Sequence, residues 1–141
     1  MDDDRDAGAS VKTDVLEQHR QLDALLEEVR EAFQEEGPGE SAREAFRRLR
    51  EALETHFEQE DRLYYPAIWA LRPMQKAPLQ ACVAAHAGFR SRLRDIAERL
   101  QRGEVAAALN AFDDLAQAFE SHEAVEETVL AELDREVAEA R

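Results

Sequence analysis

Apolar residues recur at helical spacing along four long segments of the chain, and three short glycine or proline breakers separate these segments. The breakers are Gly37-Pro38-Gly39, Pro73 and Gly103. A stripe of this period predicts a helix with one buried face, and the breakers predict where the helices end. Four such helices joined by short turns predict an all-α, antiparallel up-down-up-down four-helix bundle.

The expected helices cover about 13–36, about 41–70, from near Pro78 to Gly103, and from Val105 to about Val137. Pro66 lies inside the second helix, where its missing backbone donor predicts a kink or a local opening. Residues 1–12 are polar and acidic without apolar periodicity, so we expect a disordered tail outside a bundle domain of residues 13–141. A chain of 141 residues is long enough for one such domain.

The chain is strongly acidic, with 32 Asp and Glu against 18 Lys and Arg and a formal net charge of -14. This sign disfavours nucleic acid and anionic membranes as partners. The N-terminal Met1-Asp2-Asp3-Asp4 is unlike a secretory signal, and no apolar run is long enough to span a membrane. We therefore expect a cytoplasmic monomer or weak homo-oligomer. The single cysteine, Cys82, excludes an internal disulfide and is expected to be a small buried apolar residue.

All four histidines lie on the apolar stripes, and two of them are followed four residues later by a glutamate on the same stripe. In the two halves of the chain these residues are His19, His56 and Glu60, and His86, His122 and Glu126. The mean of 19 and 56 is 37.5, that of 86 and 122 is 104, and that of 60 and 86 is 73, so each mean falls at or beside a breaker. Residues equidistant from an antiparallel turn lie at equal height, so the six side chains are expected to share one level of a bundle built from a duplicated helical hairpin.

A glutamate on an apolar stripe carries a charge into the core, which is costly unless another group compensates it. A buried hydrogen-bonded histidine and glutamate that fix the helix register would explain one such pair. Two pairs with two further histidines at the same level favour a metal site instead. Four imidazoles and two carboxylates that can bridge suit two transition metal ions such as iron, although manganese or zinc can use the same ligands.

The order of these residues, with Glu60 leading into Leu63-Tyr64-Tyr65-Pro66, resembles the hemerythrin-like (HHE cation-binding) family over about residues 13–138. The resemblance implies a four-helix bundle whose core holds two iron ions, bridged by two carboxylates and an oxo or hydroxo group. Carried over to this chain, it implies four terminal ligands and two bridges. The terminal ligands are His19, His56, His86 and His122, and the bridges are Glu60 and Glu126.

Arg90 departs from the pattern of the oxygen-carrying hemerythrins, which have a second histidine four residues after the one on the third helix. Arginine offers no lone pair to a metal, so the centre is expected to have an open position or one filled by another side chain. Tyr64 is a candidate ligand there. Asp23 is expected to orient an imidazole or to pair with Arg90. Glu123 and Glu127 are expected to be solvated surface charges, because each lies at least about 100° around the helix from His122.

Relatives that lack this histidine are associated with peroxide decomposition, nitric oxide, or iron and oxygen sensing. The leading hypothesis is therefore a di-iron protein that reacts with oxygen, peroxide or nitric oxide. The alternatives are a catalase-like enzyme and a sensing module whose iron occupancy a partner reads. Phe57, Tyr65 and Trp69 are expected to pack the end of the core or to line the access route of a small molecule.

Overall fold

The computed structural model describes the backbone of residues 2–35 and 39–139, and the side chains of residues 8–35 and 39–133. Every regular element within these ranges is helical, which confirms the predicted all-α four-helix bundle. The helices are α1 (Asp2–Gln34), α2 (Glu40–Gln59), α3 (Tyr65–Leu71), α4 (Lys76–Gln101) and α5 (Val105–Glu139). A π-helical turn (Glu60–Tyr64) joins α2 to α3, and a 3₁₀ turn (Pro73–Gln75) joins α3 to α4.

Two apolar clusters fill the bundle, one on each side of the predicted histidine level. α1 packs on α2 and α5, and α4 packs on the same two helices. The larger cluster includes Leu49, Leu53, Leu93, Phe112 and Leu115, all fully buried. The smaller cluster lies at the opposite end and includes Val15, Tyr65, Cys82, Leu130 and Leu133. Because both ends are apolar, the buried polar groups between them are shielded from water.

The first helix begins earlier than predicted, at Asp2 instead of near Thr13. The described backbone is therefore helical from residue 2 onward, where the sequence predicted a disordered tail over residues 1–12. Gly8 is buried, and a Cβ added there would lie 3.4 Å from Leu133 Cδ2. Val11 also packs on the smaller cluster. Gly8 and Val11 thus hold the first turns of α1 against the bundle. Two such residues are too few to give an apolar period in the sequence.

The predicted opening near Pro66 is a π-helical turn. The backbone N–H of Tyr65 bonds to the carbonyl of Glu60, five residues earlier, and Pro66 lies in the first turn of α3. The longer turn brings both Tyr64 and Tyr65 into the bundle, where each is buried. Leu63 is consequently turned outward and is 59% exposed, although α-helical spacing from His56 and Glu60 predicts that it is buried.

Val83 on α4 is also exposed, although it lies three residues before His86, a helical spacing that predicts burial. The buried face of this helix runs through Cys82 and His86 instead. The turn after α4 has the predicted glycine, since Gly103 adopts a positive φ of 77°. None of the described helices has the length and apolar character required to cross a membrane.

Candidate metal centre

The structure brings all six predicted site residues to one level of the bundle. α1 supplies one of them, α2 and the π-helical turn two, α4 one and α5 two, and every one is buried. They are His19, His56, Glu60, His86, His122 and Glu126. Their role as metal ligands stays a prediction.

Each glutamate has one oxygen between two imidazoles from different helices. Glu60 Oε1 lies 3.2 Å from His56 Nε2 and 3.1 Å from His86 Nε2. Glu126 Oε1 lies 3.2 Å from His122 Nε2 and 3.4 Å from His19 Nε2. Both carboxylates therefore point into the space that the four imidazoles share.

None of these four contacts is a hydrogen bond. Among the described residues no hydrogen-bond partner exists for several buried atoms, namely both nitrogens of His19, the Nε2 atoms of His56 and His122, both oxygens of Glu60, and one oxygen each of Glu123 and Glu126. Leaving one buried polar group unpaired costs about 1–3 kcal/mol, so such a concentration of unpaired lone pairs is unfavourable without a cation. The donor set fits a metal for this reason.

The ligand atoms fall into two overlapping groups, in each of which all atoms lie within 4.8 Å of one another. The first group is His19, His56, Glu60 and Glu126. The second group is Glu60, His86 and His122. Glu60 belongs to both groups, so its carboxylate is the link between them.

Two histidines are oriented by hydrogen bonds on the side away from the shared space. His56 Nδ1 lies 2.6 Å from Gln18 Oε1, and His86 Nδ1 lies 2.8 Å from Asp61 Oδ1. An amide oxygen or an ionised carboxylate can only accept a hydrogen bond, so each Nδ1 must be the donor, and in the neutral imidazole each Nε2 keeps its lone pair for a metal. Sequence reasoning missed both partners, because neither residue lies on an apolar stripe.

Arg90 pairs with Asp61 and not with Asp23, which corrects the predicted ion pair. Its Nη2 lies 3.5 Å from Asp61 Oδ2, and its guanidinium carbon lies 5.8 Å from the centroid of the Phe57 ring. Phe57 stacks on His86 with ring centroids 4.4 Å apart. Arg90 thus supports the Asp61 and His86 pair from outside, at the position where oxygen carriers have a further histidine.

Tyr65, and not the predicted candidate Tyr64, reaches the carboxylates. The Tyr65 hydroxyl donates a 2.6 Å hydrogen bond to Glu126 Oε2 and lies 3.4 Å from His86 Nε2. Tyr64 instead accepts a 3.0 Å hydrogen bond from Gln18. The expectation assumed α-helical spacing after Glu60, and the π-helical turn shifts the next inward position by one residue. Pro66 was the signal in the sequence that could have indicated this shift.

Burial and the neighbouring charges set the ionisation of the site. Burial alone would raise the pKa of Glu60, but the imidazoles of His56 and His86 lower it to about 2, so this carboxylate stays ionised. Burial lowers the pKa of His122 to about 4, which keeps its imidazole neutral. Burial and the Glu60 charge raise the pKa of Tyr65 well above its usual value, so its hydroxyl keeps its proton. An ionised carboxylate and a neutral imidazole are the protonation states that metal binding requires.

Glu123 is buried, at 6% exposure, so the prediction of a solvated surface charge is wrong for this residue. Glu127 is exposed, as expected. The packing of α1 on α5 covers the Glu123 carboxylate, and helical angle within α5 alone could not show this. Burial and the Asp23 carboxylate raise the pKa of Glu123 to about 8. Asp23 therefore acts on Glu123, and the carboxylates beside the His19 Nδ1 atom are those of Glu123 and Glu127.

A small apolar cavity adjoins the two carboxylates and the Tyr65 hydroxyl. Its free space is about 10 Å³, room for about one water molecule. Apart from Glu60, Tyr65 and Glu126, its walls are Val15, Ile68, Leu79, Cys82, Val129 and Leu130. Cys82 is a free, buried thiol whose pKa is raised by burial, in agreement with the expected apolar role. Trp69, by contrast, is 46% exposed and contacts Lys76, so it does not pack the core.

Comparison with protein families agrees with this geometry. Residues 12–133 match the hemerythrin HHE cation-binding domain, and the chain belongs to this family of helical, cation-binding proteins. The match covers all six clustered residues and the π-helical turn. No curated protein and no solved structure matches the chain.

Proposed function

We propose that the chain binds two iron ions between α1, α2, α4 and α5, and that this centre reacts with oxygen, peroxide or nitric oxide. The observation that carries the proposal is the pair of overlapping ligand groups joined through Glu60. Imidazole and carboxylate ligands suit iron, and the absence of a second cysteine from the sequence argues against a structural zinc site built on thiolates. Iron in such a site supplies redox chemistry and a Lewis-acidic position for a small ligand.

The residues of the chain would prepare the site for that ligand. Gln18 and Asp61 hold two imidazoles with the lone pair of Nε2 turned inward. Glu60 stays ionised, and Tyr65 holds a proton on its hydroxyl, aimed at Glu126. The Tyr65 hydroxyl also lines the cavity. It can therefore donate a hydrogen bond to a small ligand there when negative charge builds up on that ligand.

The size and lining of the cavity favour a very small ligand. Space of about 10 Å³ admits a diatomic molecule or peroxide after slight widening, but not a metabolite. Its apolar walls exclude bulk water from the side of Glu60 and Glu126 that faces the cavity. A free, buried thiol is compatible with a reducing compartment, so we place the protein in the cytoplasm.

The test is to load the metal-free protein anaerobically with ferrous iron, to measure iron per chain, and to record absorption spectra after mixing with oxygen, peroxide and nitric oxide separately. We expect two ions per chain and a changed spectrum with at least one ligand. Unchanged spectra with all three would contradict the proposal. Oxygen release from peroxide above that of free iron, lost in His122→Ala but retained in the surface variant Glu31→Gln, would identify the catalase-like alternative.

A further inference from the structure

The Nδ1 atoms of two central histidines donate hydrogen bonds to acceptors of different charge. His56 Nδ1 lies 2.6 Å from the amide oxygen of Gln18, and His86 Nδ1 lies 2.8 Å from a carboxylate oxygen of Asp61. An amide is neutral, whereas a carboxylate carries a negative charge. Both rings are buried, so little water lies between them and their acceptors to weaken the difference.

The orientation of the Gln18 amide is fixed by two further hydrogen bonds. Its Nε2 atom donates to Gln59 Oε1 at 2.8 Å and to the Tyr64 hydroxyl at 3.0 Å. The nitrogen end of the amide is therefore engaged on the side away from His56, and the oxygen end faces His56 Nδ1. The neutral acceptor of His56 is thus a built contact of the structure.

The Asp61 carboxylate keeps most of its effect on His86 although Arg90 lies nearby. The Arg90 Nη2 atom is 3.5 Å from Asp61 Oδ2, whereas His86 bonds to the other oxygen, Oδ1. The Arg90 side chain is 40% exposed, so solvent weakens its attraction for the carboxylate. His86 therefore has a charged acceptor on its outer side, where His56 has a neutral one.

The charge of these acceptors is opposite to the carboxylate content of the two ligand groups. The first group has both Glu60 and Glu126, and its His56 has the neutral acceptor. The second group has Glu60 alone, and its His86 has the charged acceptor, Asp61. A carboxylate that accepts from an imidazole makes it a more basic ligand, which favours a ferric over a ferrous ion. The outer carboxylate thus compensates for the missing inner one.

We propose that Gln18 and Asp61 are positioning residues that equalise the reduction potentials of the two metal ions, so that both ions give up an electron at nearly the same potential. The inference rests on the proposed binding of two iron ions. Each ferrous ion that becomes ferric loses one electron. A centre with matched potentials can therefore pass two electrons to one molecule of peroxide, which takes up two protons from solvent and yields two molecules of water.

The test measures how far apart the two potentials lie. Di-ferrous protein is titrated with ferricyanide, which accepts one electron per iron oxidised, and electron paramagnetic resonance measures the mixed-valence centre with one ferric and one ferrous ion. The comproportionation constant of that centre rises tenfold for each increase of about 59 mV in the separation of the potentials. Iron per chain is measured in every sample, and the constants are compared at full loading.

Changing either acceptor should separate the potentials. Asp61→Asn removes the outer charge of the second group, and Gln18→Glu adds one to the first, where the Tyr64 hydroxyl can donate to the new carboxylate. We expect each variant to raise the constant about tenfold over the wild type, and Gln18→Glu/Asp61→Asn to raise it about a hundredfold. Gln18→Glu leaves the partner of His86 intact, so it tests the inference even if Asp61→Asn binds iron poorly.

The matched controls are Glu58→Gln, which removes one charge, and Gln21→Glu, which adds one, both at exposed positions. Each should keep the wild-type constant. An equal rise in the controls would show an effect of net charge and would overturn the inference, as would an unchanged or lowered constant in Gln18→Glu. Two bound irons with unshifted constants would contradict this inference alone, whereas fewer than two irons in the wild type would contradict the proposed di-iron centre and the inference with it.

Discussion

The two ligand groups differ, although the sequence pattern that builds them is duplicated. The first group has two imidazoles and two carboxylates, and the second has two imidazoles and one carboxylate. In the second half of the chain α5 continues through Glu126, whereas in the first half a π-helical turn begins at Glu60. That turn brings the Tyr65 hydroxyl to Glu126 Oε2, so this oxygen is bonded within the protein. A duplicated pattern thus gives one fuller group and one more open group.

Replacing Glu60 should have the largest effect, because this residue alone belongs to both groups. We expect Glu60→Gln to reduce bound iron from two ions to fewer than one per chain. Glu126→Gln, which removes a ligand from the first group only, should retain about one ion in the second group. Elemental analysis after dialysis against a weak chelator measures both. Equal loss of metal in the two variants would contradict the unequal sharing of the carboxylates.

Tyr65→Phe should have the next largest effect, since it removes the contact that distinguishes the two halves. The change leaves Glu126 Oε2 buried without its 2.6 Å donor. We expect the free energy of unfolding of the metal-free protein to fall by about 2 kcal/mol, in the range for a bond to a charged group. Tyr64→Phe is the matched control and should cost less, because its hydroxyl bonds to the neutral amide of Gln18. Urea denaturation measures both, and equal costs would contradict the assignment of Tyr65.

The Nδ1 atoms of His19 and His86, which lie on the side away from the shared space, also differ between the two groups. His86 Nδ1 has a 2.8 Å hydrogen bond to Asp61, whereas His19 Nδ1 faces Glu123 without one.

Because the pKa of Glu123 is raised from 4.5 to about 8 on folding, the metal-free protein should lose stability as pH rises through this range. The lowered pKa of His122 acts in the opposite direction, and its contribution is lost as pH falls from 6.5 toward about 4.

Glu123→Gln should therefore reduce the alkaline loss by about 1 kcal/mol between about pH 5 and about pH 8. The measurement is urea denaturation of the metal-free variant and wild type at both pH values. Glu120→Gln, an exposed neighbour on α5, should keep the wild-type difference. An unchanged pH dependence in Glu123→Gln would show that this carboxyl is not the group responsible.

The fold and the level of the site could be predicted because both depend on simple periodicity. Apolar spacing sets the helices, and the breakers set the antiparallel register that brings the histidines of both halves to one height. The start of α1 could not be predicted, because the two described residues that meet the rest of the bundle there, Gly8 and Val11, do not form an apolar period. Packing between distant segments has no signature within the segment itself.

The surroundings of the site were harder to predict than its six central residues. Tyr65 depends on a one-residue change of register in the π-helical turn, and Glu123 depends on how closely α1 covers α5. Gln18 and Asp61 are polar residues beside the stripes, where the sequence alone does not distinguish a solvated side chain from one that orients an imidazole. The roles of these four residues depend on tertiary contacts, and the helical periodicity of one segment carries no information about its contacts with another.

Arg90→Ala should give the smallest effect. It removes only the contact of Arg90 with Asp61, the hydrogen-bond partner of His86 in the second group. Its guanidinium lies 3.5 Å from Asp61 and is 40% exposed, so solvent weakens the attraction, and the loss of stability should be below about 0.5 kcal/mol. Asp61→Asn should cost more, because it changes the direct partner of His86 Nδ1. Calorimetric titration with Co²⁺ should show weaker binding of one ion in Asp61→Asn and little change in Arg90→Ala. If Arg90→Ala lowers the affinity as much as Asp61→Asn, Arg90 acts on the centre directly and not through the Asp61 and His86 pair.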